Sequence, residues 1–161
     1  MSSNPINRRQ IRKWALQMLF LFDVTKVADF KKSIADDSLL KMLYSVELDP
    51  DMENDLDFDD LPQIEDNNKQ YLYEVIEKVA DHKEEIDILI DENSKQWDVQ
   101  RLLKVDVNIM RLAIVEMMYI KEVPGVVAIN EAVELSKIFS DDKSASFING
   151  VLNSVWQKSV K

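Results

Sequence analysis

The chain has 161 residues, 46% of them hydrophobic, so it is long enough to bury one sizeable core or two small cores packed together. It has no cysteine and one histidine, His82, which excludes a disulfide framework and disfavours a metalloenzyme, because a transition-metal site would depend on carboxylates alone. The net charge of -10 does not exclude nucleic-acid binding, because ten acidic residues lie within residues 47–66 and the rest of the chain is neutral.

The first predicted helix covers about residues 7–24 and is apolar on most of its circumference. Its first turns are basic, and the first 22 residues contain no acid, so this end is expected to be exposed and to favour RNA, with a solvated helix end as the alternative. The segment lacks a signal-peptide cleavage site, and no apolar run reaches membrane-spanning length, so a cytoplasmic location is expected. The basic residues are Arg8, Arg9, Arg12 and Lys13, and the apolar positions are Ile11, Trp14, Ala15, Leu16, Met18, Leu19, Phe20, Leu21 and Phe22.

A second predicted helix spans residues 28–46 and is followed by the acidic run at residues 47–66. Acidic residues occupy nearly every second position from Glu47 to Asp59, a spacing similar to that of a calcium-binding loop. A calcium loop starting at Asp51 would need a glycine where Leu56 stands and a closing glutamate where Pro62 stands. A self-repelling, solvated loop is therefore the preferred interpretation.

Two further stretches have helical periodicity. One apolar stripe runs from Leu72 through Asp91 with a break predicted near His82, and a strong helical pattern covers residues 105–121 after a short helical turn at 97–103. Glu116 lies on the apolar face of the later stretch and is predicted to be semi-buried, held by an arginine or by backbone donors. A structural role is favoured over a catalytic one, because no nucleophile, histidine or second carboxylate has a suitable spacing to it.

Residues 124–152 are predicted to form a helical hairpin. Pro124 and Gly125 turn the chain into one helix, and residues 140–142 supply capping oxygens for the next. Gly150 lies inside the last helix, where glycine costs roughly 1 kcal/mol relative to alanine, so a neighbouring helix, or alternatively an external ligand, is expected to approach its backbone closely. Three polar residues are predicted to form hydrogen bonds between the two helices: Asn130, Glu131 and Asn149. The first helix of the hairpin is expected to have one apolar face, formed by Val126, Ile129, Val133 and Phe139.

The whole pattern predicts an all-α protein of about seven helices, because no stretch shows the alternation of a strand. The only glycines in the sequence, Gly125 and Gly150, cannot form a phosphate-binding loop, so nucleotide hydrolysis is disfavoured. No group of residues indicates catalysis or a cofactor. A binding surface is therefore the expected functional site.

Three segments of the sequence resemble the NusB family of bacterial transcription antitermination factors. The first is RRQIRKWALQMLF at residues 8–20, and the second is WDVQRLLKVDVNIMRLAIVE at residues 97–116. The third is VAINEAVELSK at residues 127–137 followed by S-x-x-F-I-N-G-V-L at residues 144–152. The matching regions stand in the family's order and cover the front of the chain and most of its last part, whereas residues 24–96 match only as helical periodicity.

The resemblance implies an arginine-rich motif that contacts boxA-type single-stranded RNA at the start of the first helix. It also implies RNA contacts at the start of the last helix, where the helix N-terminus offers N–H groups and Phe147 a plane for base stacking. A core position for Phe147 is the alternative. Ser146 and Gln10 stand where family members have basic residues, which removes charge. The implied RNA-binding residues are Arg8, Arg9, Arg12, Lys13, Lys143, Ser144 and Phe147.

The resemblance further implies the ribosomal protein NusE as a partner, bound through Phe20 and Asp106. A helix-start acid is the alternative role of Asp106, and Val107 stands where the family usually has Arg or Lys. The implied fold is two small helical bundles with a central first helix, in a single domain over residues 1–161 with an acidic loop at 47–66. The implied function is that of a non-enzymatic adaptor that, with NusE, holds boxA RNA to the transcribing RNA polymerase complex and suppresses termination in ribosomal RNA operons.

Two alternatives stay open at this point. NusB-like domains also form the N-terminal part of ribosomal RNA cytosine methyltransferases, but this chain has no room for a catalytic domain and lacks cofactor-binding glycines, so that function would need a detached domain. A purely structural helical homo-oligomer is the other alternative, and exposed apolar positions on the first helix would indicate it.

Overall fold

The computed structural model describes residues 6–25, 64–94 and 102–159. Within these ranges the chain forms α-helices and no β-strand, which confirms the all-α prediction. None of the described helices is both long enough and apolar enough to cross a membrane. The helices are α1 Arg8–Thr25, α2 Asp66–Asn93, α3 Lys104–Tyr119, α4 Gly125–Phe139 and α5 Asp142–Ser159.

The described residues form five helices, whereas the sequence pattern predicted about seven for the whole chain. The predicted helix at residues 28–46 lies outside the described residues, and so does most of the predicted helical turn at 97–103. Residues 47–63 of the acidic run also lie outside them. Asp66, the last acid of that run, belongs to the first turn of α2 rather than to a loop.

Helix α3 is the central element of the described fold. It packs against each of the other four helices, and every residue from Asp106 to Glu116 is buried. The sequence pattern predicted a single apolar face for this helix; instead, α3 is enclosed on all sides from Asp106 to Glu116. Such burial is possible because polar side chains within the stretch, Asn108, Arg111 and Glu116, are bonded to groups on other helices.

A charge network joins the end of α1 to α2 and α3. Arg111 on α3 donates from Nε and Nη2 to Asp87 on α2, both at 2.8 Å, and from Nη1 to Asp23 on α1 at 3.2 Å. Asn108 also donates to Asp23 at 3.2 Å. Burial alone would raise the pKa of Asp23, but the charge of Arg111 and the hydrogen bond from Asn108 lower it below its usual range. The carboxylate of Asp23 therefore stays ionised and fixes this part of α1 to the central helix.

Helix α2 bends at His82, whose backbone angles of φ -117° and ψ 16° are not helical. This confirms the predicted break. The imidazole of His82 stacks on the ring of Tyr119 at the end of α3, with 4.5 Å between the ring centroids and 13° between the planes. The stack fixes the bend against the central helix, and both halves of α2 bury apolar side chains in the core.

Helices α4 and α5 form the predicted hairpin. Asp141 caps α5, because its Oδ1 accepts a 2.7 Å hydrogen bond from the backbone N–H of Ser144, and this bond lowers the pKa of Asp141. Gly125 at the start of α4 lies against the indole of Trp156, so that a Cβ placed on Gly125 would be 2.6 Å from three ring carbons. The close packing of α5 on α4 therefore requires a glycine at this position.

Three features of the hairpin differ from what was expected. Gly150 is exposed, and no atom of the described residues lies within 4 Å of a Cβ built on it, so none of the described helices is the expected close neighbour, and an external ligand stays a prediction. Asn130 and Asn149 are exposed, and Glu131 bonds to α1 rather than to α5. Val126 is exposed because the buried face of α4 is centred on other positions. That face consists of Gly125, Ala128, Ile129, Ala132, Leu135 and Ser136.

The two glycines are expected to respond in opposite ways to replacement by alanine. Gly125→Ala forces a methyl group against Trp156 and should lower the free energy of unfolding by about 1–3 kcal/mol, the usual cost of overpacking. Gly150→Ala removes the entropic cost of an exposed helix glycine and should raise the free energy of unfolding by about 0.5–1 kcal/mol. Urea unfolding followed by circular dichroism measures both values, and changes of the same sign would contradict the prediction.

Candidate nucleic-acid interface

Two grooves lie along α1 on the side that faces α4. The first has a volume of about 230 Å³, lies beside the first turns of α1 and is called the polar groove. The second has a volume of about 410 Å³, lies further along α1 and is called the apolar groove. The polar groove is lined by Asn7, Arg9, Gln10, Lys13, Glu131, Glu134, Leu135 and Ile138. The apolar groove is lined by Leu16, Gln17, Phe20, Val105 and Phe139.

The first turn of α1 is fixed by Asn7. Its Oδ1 accepts a 2.9 Å hydrogen bond from the backbone N–H of Gln10, and its carbonyl oxygen accepts one of 3.1 Å from Ile11. The first backbone N–H groups of a helix have no carbonyl acceptor within the helix, and the side chain of Asn7 supplies an acceptor for one of them. Arg8 and Arg9 therefore project from a regular helical backbone.

Arg8 and Arg9 are each held by a side chain of another helix. Nε of Arg8 donates to Oδ1 of Asn68 on α2 at 2.8 Å, and its guanidinium lies over the ring of Tyr71, with 4.1 Å between Cζ and the ring centroid. Nε of Arg9 donates to Oε1 of Glu131 on α4 at 3.2 Å, and 66% of the Arg9 side chain is exposed. Both arginines therefore have a defined direction at the surface.

Arg12 and Lys13 take different positions in the next turn. Lys13 is half-buried and lines the polar groove. Arg12 is only 5% exposed: its Nε lies 3.1 Å from each carboxylate oxygen of Glu116, and its Nη2 lies 3.0 Å from Oε2. The hydroxyl of Tyr71 donates to Oε1 of Glu116 at 2.8 Å. The structure confirms Glu116 as a buried carboxylate held by an arginine, and it shows that the expected exposure of Arg12 is wrong.

The buried ion pair sets the protonation of the groups around it. Burial and the charge of Glu116 raise the pKa of Tyr71 well above its usual range, so the phenol remains a hydrogen-bond donor. Burial alone would lower the pKa of Arg12, but the charge and hydrogen bond of Glu116 raise it. The guanidinium of Arg12 therefore stays charged, and its Nε and Nη2 edge is occupied by the protein's own carboxylate.

The start of α5 is joined to the start of α3. Lys143 is exposed, and half-buried Ser144 donates from Oγ to Oδ2 of Asp106 at 3.0 Å. Phe147 is half-buried and packs against the core, while part of the residue remains accessible. Ser144, implied for RNA binding, is therefore in direct contact with Asp106, implied for partner binding.

Phe20 and Asp106, implied for partner binding, differ in exposure. Phe20 is 40% exposed and lines the apolar groove together with Val105, which stands in the first turn of α3. Asp106 in the same turn is buried, and its Oδ1 has no hydrogen-bond partner among the described residues. Val107, at the position where the family usually has a basic residue, is buried in the core. The apolar groove thus brings Phe20 next to the turn that carries Asp106.

Sequence reasoning missed the residues that hold the two surface arginines. Asn68 and Tyr71 come from a stretch that matched the family only as helical periodicity, and Asn68 lies 60 positions from Arg8 along the chain. Glu131 was singled out as a polar residue but was assigned to the hairpin. No local pattern links these pairs, because each depends on how α2 and α4 pack beside α1.

Arg12→Ala is expected to lower the free energy of unfolding by about 3–5 kcal/mol, because it leaves the carboxylate of Glu116 buried without its cation. Arg9→Ala is the matched control, since it removes an exposed arginine near the same end of α1 and should cost less than about 1 kcal/mol. Chemical denaturation of the two variants side by side measures the difference. Equal losses would contradict the separate roles that the structure gives to the two arginines.

The family model described as the NusB family matches residues 9–157. The transcription antitermination protein NusB of Enterococcus faecalis is 40% identical over 159 residues, which cover 98% of this chain and 94% of that protein. The transcription antitermination protein NusB of Acetivibrio thermocellus is 42% identical over 118 residues, which cover 72% of this chain and 81% of that protein.

Solved structures have the same fold. T. maritima NusB superposes with a TM-score of 0.72 at 25% identity, over 96% of this chain and 94% of that one. A chain in the crystal structure of the antitermination factors NusB and NusE in complex with dsRNA superposes with a TM-score of 0.69 at 22% identity, over 94% of this chain and 96% of that one. At the latter identity the likeness establishes the fold alone.

Proposed function

The chain belongs to the NusB family, and we propose that it binds boxA-type single-stranded RNA together with the ribosomal protein NusE. In this proposal it acts without catalysis, by holding the RNA to the transcribing RNA polymerase complex and suppressing termination during ribosomal RNA transcription. The names of its relatives support an antitermination role over that of a detached methyltransferase domain. The complex of NusB and NusE with dsRNA supports NusE and RNA as partners. The division of the helices into two bundles and the single domain over residues 1–161 stay predictions.

The proposal of RNA binding rests on the basic residues at the start of α1. Arg8 and Arg9 reach the surface there, and Lys13 lines the adjoining polar groove. Arginine suits this role because its planar fork fits phosphate and its face fits a stacked base. Arg12 is left out of the proposed contact surface, because its charge is paired with Glu116 in the core. We therefore assign phosphate contacts to Arg8, Arg9 and Lys13.

A second proposed RNA contact is the start of α5. Lys143 is exposed there and adds a positive charge at the first turn. The accessible part of Phe147 offers a face on which a base can stack. Ser144 already uses its backbone N–H for Asp141 and its hydroxyl for Asp106, so its contribution is to shape this turn.

The proposed surface for NusE is the apolar groove with the first turn of α3. Phe20 is a partly exposed aromatic residue at the edge of an apolar groove, which is the kind of anchor that protein interfaces bury. Asp106 keeps an oxygen without a partner among the described residues at the same turn. An exposed phenylalanine on α1 also suits contact with a second copy of this chain, which is the homo-oligomer alternative.

Replacing both Arg8 and Arg9 by alanine is expected to weaken binding of boxA-type single-stranded RNA. The slope of log affinity against log salt concentration should fall by about 0.7 for each RNA phosphate that the variant no longer neutralises. Fluorescence-anisotropy titrations at several salt concentrations, with and without NusE, measure this slope. The control replaces Lys121 and Lys158, two exposed lysines that line neither groove and have no described contact with α1, and should leave the slope unchanged. An unchanged slope in the arginine variant would exclude phosphate contacts at the start of α1.

Phe20→Ala is expected to weaken NusE binding by more than about 1 kcal/mol, because it removes the aromatic anchor of the apolar groove. RNA affinity measured without NusE should not change. The matched control is Ile88→Ala, which removes an exposed apolar side chain from α2. Calorimetric titration with NusE measures the affinity, and sedimentation measures self-association. Loss of a homodimer with normal NusE affinity would favour the homo-oligomer alternative.

A further inference from the structure

The four arginines among the described residues use their guanidinium groups in two ways. Buried Arg12 and Arg111 bind carboxylates through both Nε and Nη groups. Arg8 and Arg9 at the surface donate through Nε alone, and within the described residues their Nη1 and Nη2 groups have no hydrogen-bond partner. Four of the five N–H donors of a guanidinium are on these two nitrogens. Within the part of the chain that the structure describes, Arg8 and Arg9 therefore keep most of their donors free.

The acceptor that holds Nε comes from a different helix in each case. Asn68 on α2 holds Arg8 at 2.8 Å, and Glu131 on α4 holds Arg9 at 3.2 Å. The ring of Tyr71 also lies against one face of the Arg8 guanidinium. A guanidinium whose Nε is occupied can bind a phosphate in two-point fashion only through its end, with Nη1 and Nη2. The two contacts therefore select one edge of each arginine for an external anion.

We propose that Asn68 and Glu131 are positioning residues for RNA binding, each holding one arginine through Nε so that its Nη1 and Nη2 edge is presented to an RNA phosphate. The inference rests on the proposed function, since it concerns the same arginines. Its physical basis is preorganisation: a long side chain that is already ordered loses less freedom when the RNA binds. An exposed ion pair with one contact, such as Arg9 with Glu131, contributes little to stability, so positioning explains it better than folding does.

The opposite interpretation for Glu131 is competition, in which its carboxylate keeps Arg9 away from phosphate. The structure favours positioning for two reasons. Glu131 occupies only Nε of Arg9, and its other oxygen lies 3.9 Å from Nη1 of Arg12, which offsets its negative charge. The two interpretations predict opposite effects when the acceptor is removed, so variants at this residue separate them.

The first test uses Asn68→Ala and a boxA-type single-stranded RNA oligonucleotide. The change is expected to weaken binding about 2- to 12-fold, which corresponds to the cost of ordering one long side chain. In an Arg8→Ala background the same change should have no effect, because no side-chain donor is left for Asn68 to hold. Asn67→Ala is the matched control, since Asn67 is the exposed neighbour on α2. An equal loss in both backgrounds would overturn the proposal for Asn68, which would then act through its bond to the carbonyl oxygen of Ile6.

The second test compares Glu131→Ala with Glu131→Gln. Both changes remove the same negative charge, but glutamine keeps an oxygen that accepts from Nε of Arg9. The glutamine variant is expected to bind the RNA about 2- to 12-fold more tightly than the alanine variant, and an Arg9→Ala background should remove this difference, because it leaves no donor for residue 131 to hold. If Glu131 competes with phosphate, both variants will bind equally well and more tightly than the unchanged protein, which would overturn positioning.

Failure of this inference can be told apart from failure of the proposed function. If Arg8→Ala and Arg9→Ala leave RNA binding unchanged, the proposed RNA surface is wrong and the inference falls with it. If those changes weaken RNA binding, but Asn68→Ala leaves the RNA affinity unchanged and the two Glu131 variants have equal RNA affinity, only the positioning role is overturned. Melting temperatures of all variants, measured alongside, show whether an altered affinity reflects unfolding.

Discussion

The described fold depends on a carboxylate in its interior. Glu116 lies on the central helix with 1% of its surface exposed, and Arg12 from α1 and Tyr71 from α2 reach it from two directions. A buried carboxylate is tolerated when its charge is balanced and its oxygens are hydrogen-bonded, and it becomes costly as soon as one partner is removed. The three side chains therefore fix how α1 and α2 sit on α3. The junction therefore attaches the start of α1, which carries the surface arginines, to the core.

One side chain connects this interior junction to the proposed RNA surface. The hydroxyl of Tyr71 bonds to Glu116, while its ring supports the guanidinium of Arg8. Positive charges at a helix N-terminus interact unfavourably with the helix dipole. The arginines at the start of α1 nevertheless have two uses. Arg12 neutralises the interior carboxylate, whereas Arg8 and Arg9 are held at the surface by acceptors from α2 and α4. The arginines that are adjacent in sequence therefore divide into one buried ion-pair partner, Arg12, and two surface residues, Arg8 and Arg9.

Helical periodicity was sufficient to locate the described helices, because the spacing of apolar residues within a helix is a local property. The first helix was predicted at residues 7–24 and is observed at Arg8–Thr25, and the break at His82 was also predicted. Exposure was harder to predict: Arg12 resembles its basic neighbours in sequence, and its burial depends on Glu116, 104 positions away. The holding contacts of Arg8 and Arg9 escaped prediction for the same reason. Family resemblance named candidate site residues but carried no information about which of them the fold itself uses.

The enclosure of α3 also determines how the protein comes apart. Because α3 packs against each of the other four described helices, the detachment of any one of them would expose part of the buried surface of α3. Removing α1 would in addition separate Arg12 from Glu116. Partial opening is therefore penalised along the buried part of α3, from Asp106 to Glu116, and the described helices are expected to unfold as one cooperative unit rather than one after another. Local fraying is expected at the helix ends, and at the start of α1 the bond from Arg8 to Asn68 on α2 opposes it.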